Sequence, residues 1–300
     1  MRILNFGSIN VDWVHRVECI AEPGQTIAAS VCEQGPGGKG ANQSMALARA
    51  GAAVWHAGCV GLDGQWLIDL LEAEGIDTSL IRMDKNLPTG HAMIQVDDQG
   101  QNAIVASQNA NGAISDDAIV EAMDCFDPGD WLLVQNETNA IADIVQAGKQ
   151  RGMRVAINPA PVNTDIERVI AMGLADFLIV NQSEAQALLK ASPRQAVDLA
   201  VRMAKHHQCD VLLTLGEYGA LYVSGETVTR VAADVVDVVD TTAAGDTFIG
   251  YFLAGLADQM PLAANLERAS RAATLCCQRA GAINAIPRLS LVDALPPVRE

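Results

Sequence analysis

Short β-branched runs alternate along this chain with longer stretches of helical period. Residues 54–60, 131–134, 154–157, 177–180 and 211–215 are nearly continuous apolar runs, the pattern of strands buried on both faces. Between them, residues 42–50, 64–74, 116–123, 140–151 and 193–207 carry apolar side chains at i, i+3 and i+4. The same period predicts helices over 245–256 and 262–279. Such alternation builds βαβ crossovers, so the pattern predicts an α/β fold whose mostly parallel sheet is covered by helices on both faces.

Two stretches break the rhythm. Residues 11–34 hold strand-like residues and a Pro23-Gly24 turn with no helical period, and 91–106 read as a hairpin around Asp97-Asp98-Gln99-Gly100. Both alternate polar with apolar positions, as in a sheet with one wet face. They predict a small accessory sheet, 11–34 plus 91–106, inserted in one α/β domain of residues 1–10, 35–90 and 107–300. Hung over the carboxyl ends of the strands, it is placed to act as a lid. No internal repeat or low-complexity linker appears.

Composition narrows the function classes. Half of the 300 residues are apolar but aromatics are 4%, so the core is built from Ala, Val, Leu and Ile. The uncharged apolar run 247–257 falls short of the ~20 residues of a membrane span. The strand-like run 3–7 stands where a secretory leader would have its basic and apolar regions, so neither membrane nor leader is expected. Twenty basic residues against thirty-six acidic ones give a net charge of −16, with no basic cluster to grip a nucleic acid. Seven scattered cysteines without C-x-x-C spacing fit a reducing cytoplasm better than disulfides or zinc. His206-His207 has no partner at metal spacing and reads as a solvated helix end.

Two segments carry candidate chemistry. Gly35-Pro36-Gly37-Gly38-Lys39-Gly40-Ala41-Asn42 contains a formal G-x-G-x-x-G. No acidic residue ends the following run 54–58, so the ribose carboxylate of a dinucleotide fold is missing and a nicotinamide dehydrogenase is disfavoured. Walker A also fails, with Glu33 at its first position and Gly40 after the lysine. A run of amides opening a helix remains, suited to a polyhydroxy or phosphorylated ligand, or else a plain glycine turn. Asp240-Thr241-Thr242-Ala243-Ala244-Gly245-Asp246-Thr247-Phe248 leads small residues into a helix start that carries a carboxylate. An acid beside an anion hole suits a base that takes a proton while a phosphoryl group is stabilised. The local sequence fits equally a helix cap or dipole partner. Asn10, Asp12, Glu137, Asn158, Asn181 with Glu184, and the stretch Thr214-Leu215-Gly216-Glu217-Tyr218-Gly219 all stand where strands end, the edge on which open parallel sheets bind ligands.

In these residues the chain resembles the ribokinase family, the ribokinase/phosphofructokinase-B class of sugar and nucleoside kinases. The two segments above match its signatures. Gly7-Ser8-Ile9-Asn10-Val11-Asp12, Asn158-Pro159-Ala160-Pro161, Asn181 with Glu184, and Thr214-Leu215-Gly216 match intermediate blocks, from about residue 3 to 287. The resemblance implies a three-layer α/β/α fold with a β-lid and ATP-dependent phosphorylation of a sugar's primary hydroxyl, D-ribose to ribose 5-phosphate. Fructose, deoxyribose or 2-keto-3-deoxygluconate are the alternative acceptors, and a non-catalytic sugar or nucleotide sensor is the alternative class. It implies Asp246 as catalytic base, with the amides of Ala243, Ala244 and Gly245 as anion hole. Asn10, Asp12, Gly38, Lys39, Gly40, Ala41, Asn42 and Glu137 fall on the sugar. Asn181, residues 214–219, Gly245, Asp246 and Ser270 fall on ATP. Glu184 positions Mg2+ through water. Asp240, Thr242, Cys276, Arg279, Gly281 and Ala285 form a monovalent-cation loop for K+, with Ala285 lacking a hydroxyl the family often has there. A homodimer through the lid is implied. Arg271 reads as lying on a wet helix face.

Overall fold

The computed structural model describes residues 1–191 and 195–294. Its strands are β1 (Ile3–Phe6), β2 (Asn10–Arg16), β3 (Val31–Gly37), β4 (Val54–Gly61), β5 (Asp77–Asp84), β6 (Gly90–Val96), β7 (Asn102–Ser107), β8 (Trp131–Gln135), β9 (Arg154–Asn158), β10 (Phe177–Asn181), β11 (Asp210–Thr214), β12 (Ala220–Ser224) and β13 (Thr227–Val231). The helices are α1 (Lys39–Arg49), α2 (Gln65–Ala73), α3 (Asp116–Asp124), α4 (Ile141–Gln150), α5 (Thr164–Ala171), α6 (Gln182–Leu189), α7 (Ala196–His207), α8 (Ala244–Ala257), α9 (Leu262–Cys277) and α10 (Leu289–Asp293). Of the helix expected over 193–207, Pro193 and Arg194 lie outside the described residues.

The large sheet runs β13-β12-β11-β10-β9-β8-β1-β4-β5 and is parallel from β11 to β5; only β12 and β13 are antiparallel. Because side chains alternate along a strand, each strand feeds two cores. Ile3, Trp131 and Leu133 pack with α1, α2, α8, α9 and α10 on one face. Leu4, Leu132 and Val134 pack with α3, α4, α5, α6 and α7 on the other. The expected α/β/α layering is what folds.

The chain lays β1, β4 and β5 outward in one direction, then returns to place β8 on the other side of β1. Neighbouring crossovers diverge there, opening a crevice at the carboxyl ends of β1 and β8, where open sheets of this kind bind ligands. A second sheet, β3-β2-β6-β7, grows from that crevice. Its strands begin at Asn10 and Gly90 and end at Gly37 and Ser107, so it includes Asn10, residues 35–37, Gly90 and Ser107, which the sequence suggests for the main domain. Its outer row is less polar than the alternation suggested. Trp13, Met93 and Val105 lie in register and are 36%, 42% and 68% exposed.

Candidate active site

Helix α8 starts abruptly. Ala243 is left-handed (φ 60°), and this kink lets the Ala244 amide close onto the Thr241 carbonyl at 3.2 Å while Thr247 N donates to Ala243 O at 2.8 Å. The amides of Ala243, Gly245 and Asp246 bond to nothing among the described residues, so three N–H groups at the positive end of the helix dipole are left for a ligand. The Ala244 amide is therefore not one of the free donors. Gly245 is exposed, and a Cβ there would meet nothing within 4 Å.

Asp246 makes no cap on its own helix. Its carboxylate turns back to α1: Asn42 Nδ2 donates to Oδ2 at 2.9 Å, and Gln43 Nε2 donates to Oδ1 at 2.8 Å. This decides against the capping reading. Burial pushes the Asp246 carboxyl up to about 6, against the pull of Lys39 and the two amide bonds, and Glu137 adds repulsion. A carboxyl in that range is mostly ionised at neutral pH yet still takes a proton readily.

The first turn of α1 behaves differently from the open amide cradle its glycines suggested. Lys39 N donates to Glu137 Oε2 at 3.1 Å, Gly40 N to Ser8 Oγ at 3.2 Å, and Ala41 N to Ser8 O at 2.9 Å. With these amides engaged, the turn offers side chains to a ligand. Gly40 is pressed against the Gly7–Ser8 backbone and Ala41 is in the core, so both pack rather than face the crevice. Gly38, with φ 94°, is needed for close approach, because a Cβ would sit 2.9 Å from Asn10 N and Ser8 O.

What faces the crevice is a charged set. Lys39 Nζ pairs with Glu137 Oε1 at 3.1 Å, and Glu137 Oε2 also accepts from Ser8 Oγ at 2.6 Å. Burial works against the Lys39 ammonium, but Glu137, Asp246 and Glu184 outweigh it and raise its pKa. Burial and then Glu137 push Asp12 up to about 6, with Lys39 opposing. Asn10 is buried, its Oδ1 accepting from Asn111 Nδ2 at 2.7 Å. Asn42 Oδ1 is buried with no partner among the described residues, an acceptor left open for a hydroxyl donor.

Across the crevice, β10 ends at Asn181, which forms a reciprocal capping box with Glu184 on α6 at 2.9 Å in both directions. A cavity of about 470 Å³ lies here, lined by Asn181, Gln182, Ser183, Gln186, Thr214, Leu215 and Gly216. Glu217 and Tyr218 are exposed beside it. Gly219 is buried against the Val231 carbonyl, where a side chain has no room. Ser270 is 5% exposed, and its hydroxyl donates to Ala232 O at 3.0 Å, which places it in the packing of α9 and not on this cavity. Burial raises the Glu184 carboxyl despite its bond to Asn181 N and the nearby Lys39.

The 239–242 segment is tied to the end of α9. Val239 N and Asp240 N both donate to Cys277 O, and Gly281 N donates to Asp240 Oδ2 at 2.9 Å. Asp240 Oδ1 accepts from Thr242 N and Oγ1. Among the described residues the Thr242 carbonyl accepts only the weak Cys276 thiol at 3.6 Å. Arg279 is exposed and Ala285 fully buried.

Several readings need correction. Strand β4 runs on to Gly61, and Asp63 follows it, but that carboxylate accepts from Thr89 N and Oγ1, just before β6. The Arg271 side chain is 15% exposed beside Glu267, so it is not on a wet face. His206 is exposed, whereas His207 is half-buried and burial lowers its pKa. Among the described residues no three His, Cys, Asp or Glu cluster as metal ligands. Ser8, Gln43, Gln135 and Asn111 were not singled out from sequence as site residues. The available signal was a glutamine ending an apolar run and another beside Asn42.

The sequence profile of the pfkB family carbohydrate kinases matches residues 2–289, and the chain belongs to that family of phosphotransferases acting on an alcohol group. It is 36% identical to a ribokinase of Schizosaccharomyces pombe, with 98% of this chain and 97% of that protein covered. Among solved structures it is similar to a ribokinase from Cryptococcus neoformans in complex with ADP, at 30% identity, TM-score 0.85 and coverage of 97% and 98%. It is likewise similar to the Arabidopsis thaliana ribokinase complexed with ribose and ATP, at 28% identity, TM-score 0.86 and coverage of 97% and 96%. The crevice described above therefore sits in a carbohydrate-kinase fold.

Proposed function

We propose that the protein transfers the γ-phosphoryl group of ATP to the primary hydroxyl of D-ribose, giving ribose 5-phosphate and ADP. The observation that carries this is the start of α8: a carboxylate held between two amides, beside three unengaged N–H groups, facing a polar crevice. ATP fits the cavity between β10 and β11, with its terminal phosphate toward the α8 amides. Asp246 accepts the hydroxyl proton as the oxygen attacks. The amides of Ala243, Gly245 and Asp246 take up charge on the moving phosphoryl group. Asp12, with two carboxylate oxygens, suits adjacent ring hydroxyls, and Asn42 Oδ1 and the Lys39–Glu137 pair fix the sugar's orientation.

The donor set fits a magnesium ion carried in by the nucleotide, since Glu184 is a lone carboxylate rather than one wall of a cage. When bound, Mg2+ supplies charge neutralisation on the phosphates. The Thr242 carbonyl, engaged only by a thiol, supports a K+ site in the 240–242 and 276–285 loops. The second sheet closing over the crevice would exclude water, and the exposed row Trp13, Met93 and Val105 supports burial of that sheet against a second copy. A cytoplasmic setting accords with the free thiols.

The test is ADP release with ribose, 2-deoxyribose, fructose and 2-keto-3-deoxygluconate, with and without K+. Ribose should exceed the others by ~10-fold or more in kcat/KM, for 2-deoxyribose because a site built to bond a hydroxyl meets a sugar lacking it. A higher value for another sugar would overturn the ribose assignment, and no release with any sugar would favour a sensor.

A further inference from the structure

Behind Asp246 lies a buried polar chain that none of the sugar or nucleotide contacts uses. Gln43 Nε2 gives one hydrogen to Asp246 Oδ1 and the other to Asn158 Oδ1 at 3.1 Å. Its Oε1 accepts from Gln135 Nε2 at 2.7 Å, and Gln135 also donates to Asn5 Oδ1 at 2.9 Å. Asn5 Nδ2 donates to Gly40 O and Ser44 Oγ, Ser44 bonds His56 Nδ1 at 2.8 Å, and His56 Nε2 reaches Gly7 O at 3.2 Å. Gln43, Gln135, Asn5, Ser44 and His56 are 0% exposed and Asn158 5%.

The bond directions in this chain trace back to main-chain carbonyls, which only accept, directly for Asn158, Asn5 and His56 and through Asn5 for Gln135, whose own Oε1 has no partner among the described residues. Ile179 O takes the Asn158 amide at 3.0 Å, so Asn158 presents its oxygen to Gln43. Gly40 O orients Asn5 in the same way, and Gly7 O requires the His56 proton on Nε2, leaving Nδ1 to accept from Ser44. Turning the Gln43 amide over would set oxygen against Asn158 Oδ1 and Asp246 Oδ1 and nitrogen against Gln135 Nε2, losing three bonds together. The group facing Asp246 Oδ1 is thus always a donor. A protonated Oδ1 would meet N–H with O–H, so the contact favours the ionised carboxylate. Asn42, on the other oxygen, lacks such an anchor because its Oδ1 is unpartnered.

We propose that Gln43 is a positioning residue for phosphoryl transfer, locked by Asn158 and Gln135 so that its amide holds Asp246 ionised and fixes the plane of the carboxylate toward the acceptor hydroxyl. This rests on Asp246 being the base. The charged groups felt by Asp246 are Lys39 from α1 and Glu137 after β8, and Cys276 of α9 is also coupled to it; none of them touches Gln43.

The experiment compares wild type with Gln43→Met, which keeps length and removes the donor, and Gln43→Glu, which keeps shape, by full kcat and KM profiles over about pH 5.5–9. In Gln43→Met, kcat should fall ~10-fold near neutrality with the sugar KM within about threefold, and the acidic limb of kcat should move up by about one pH unit, as expected when a bond to the charged form is lost. A one-unit move from about 6 accounts for about twofold of this at pH 7, so the deficit narrows by about that factor toward alkaline pH while the part due to the lost carboxylate plane persists. In Gln43→Glu the two carboxyls must share a proton, so the limb should move further. A loss that is the same at every pH, or one borne by KM with the limb unmoved, overturns the proposal. If Gln43→Met does not fold, Gln43→Glu alone decides by the same limb. Turnover of Asp246→Asn within tenfold of wild type would instead remove the base itself, a separate failure.

Discussion

Asp246→Asn should make the protein more stable while nearly abolishing turnover. Asparagine has the same shape, and its oxygen can accept from Gln43 as Asp246 Oδ1 does. Its new N–H2 would face the Asn42 amide, but Asn42 is free to turn over, since its own Oδ1 has no partner to lose. The substituted site therefore keeps both contacts to residue 246 without a buried charge. The carboxyl it replaces is raised from 3.8 to about 6 chiefly by burial. A folded-state value above the unfolded one means folding is opposed wherever the unfolded carboxyl is ionised. The penalty is absent well below pH 3.8, grows between about pH 4 and 6, and is full above, reaching ~3 kcal/mol at most. Thermal melts of wild type and Asp246→Asn at about pH 7.5 and pH 5 measure it. The variant should melt several degrees higher at the first, and the gap should fall to about half at the second. ADP release should drop by ~10²–10⁴, the range for losing a general base, or ~3–5 kcal/mol of transition-state stabilisation. A variant less stable than wild type at pH 7.5, or a gap that does not narrow toward pH 5, would refute the claim that this carboxylate is held charged at an energetic cost.

Gly245→Val should fold normally, because its Cβ meets nothing, yet lose ~10²-fold or more in kcat as the side chain covers the helix-start amides; unchanged kcat would mean that phosphate does not approach there. Asp12→Ala should raise the ribose KM by ~10-fold or more with ATP binding unaltered, since it removes a two-oxygen acceptor from the sugar side; equal losses for ATP and ribose would place Asp12 elsewhere. Glu184→Gln should raise the Mg2+ concentration needed for half-maximal rate by several-fold, with melting little changed because glutamine can still close the capping box; an unaltered Mg2+ dependence would confine Glu184 to capping.

The strands buried on both faces were legible because they are continuous apolar runs: β4, β8, β9, β10 and β11 all lie where periodicity put them. The elements that escaped notice lack that signal. Strand β5, Asp77–Asp84, sits at the sheet edge, where half its residues meet water, and β12 with β13 form a hairpin around Gly225. Helix α6 follows β10 with no linker, and α5 is two turns long. Residues that end strands could be picked out as a group, but the roles of neighbours within one segment were not separable. Gly38, Gly40 and Ala41 read alike in sequence, while the first permits a close turn and the other two pack.

From its residue order alone the chain determined the alternation of strands and helices, the interrupting pair of segments, and the placement of a carboxylate in the first turn of a helix led by small residues. These are local facts, set by side-chain periodicity and by what each residue does to its own backbone. The tertiary fold decided which way that carboxylate turns, which amides stay free, and that Gln43 stands behind it. Those depend on bonds such as Gln43 to Asp246, whose partners are 203 positions apart, and to Asn158 at 115. The direction of a hydrogen bond across that distance is fixed only when the carbonyls of other strands have been brought alongside.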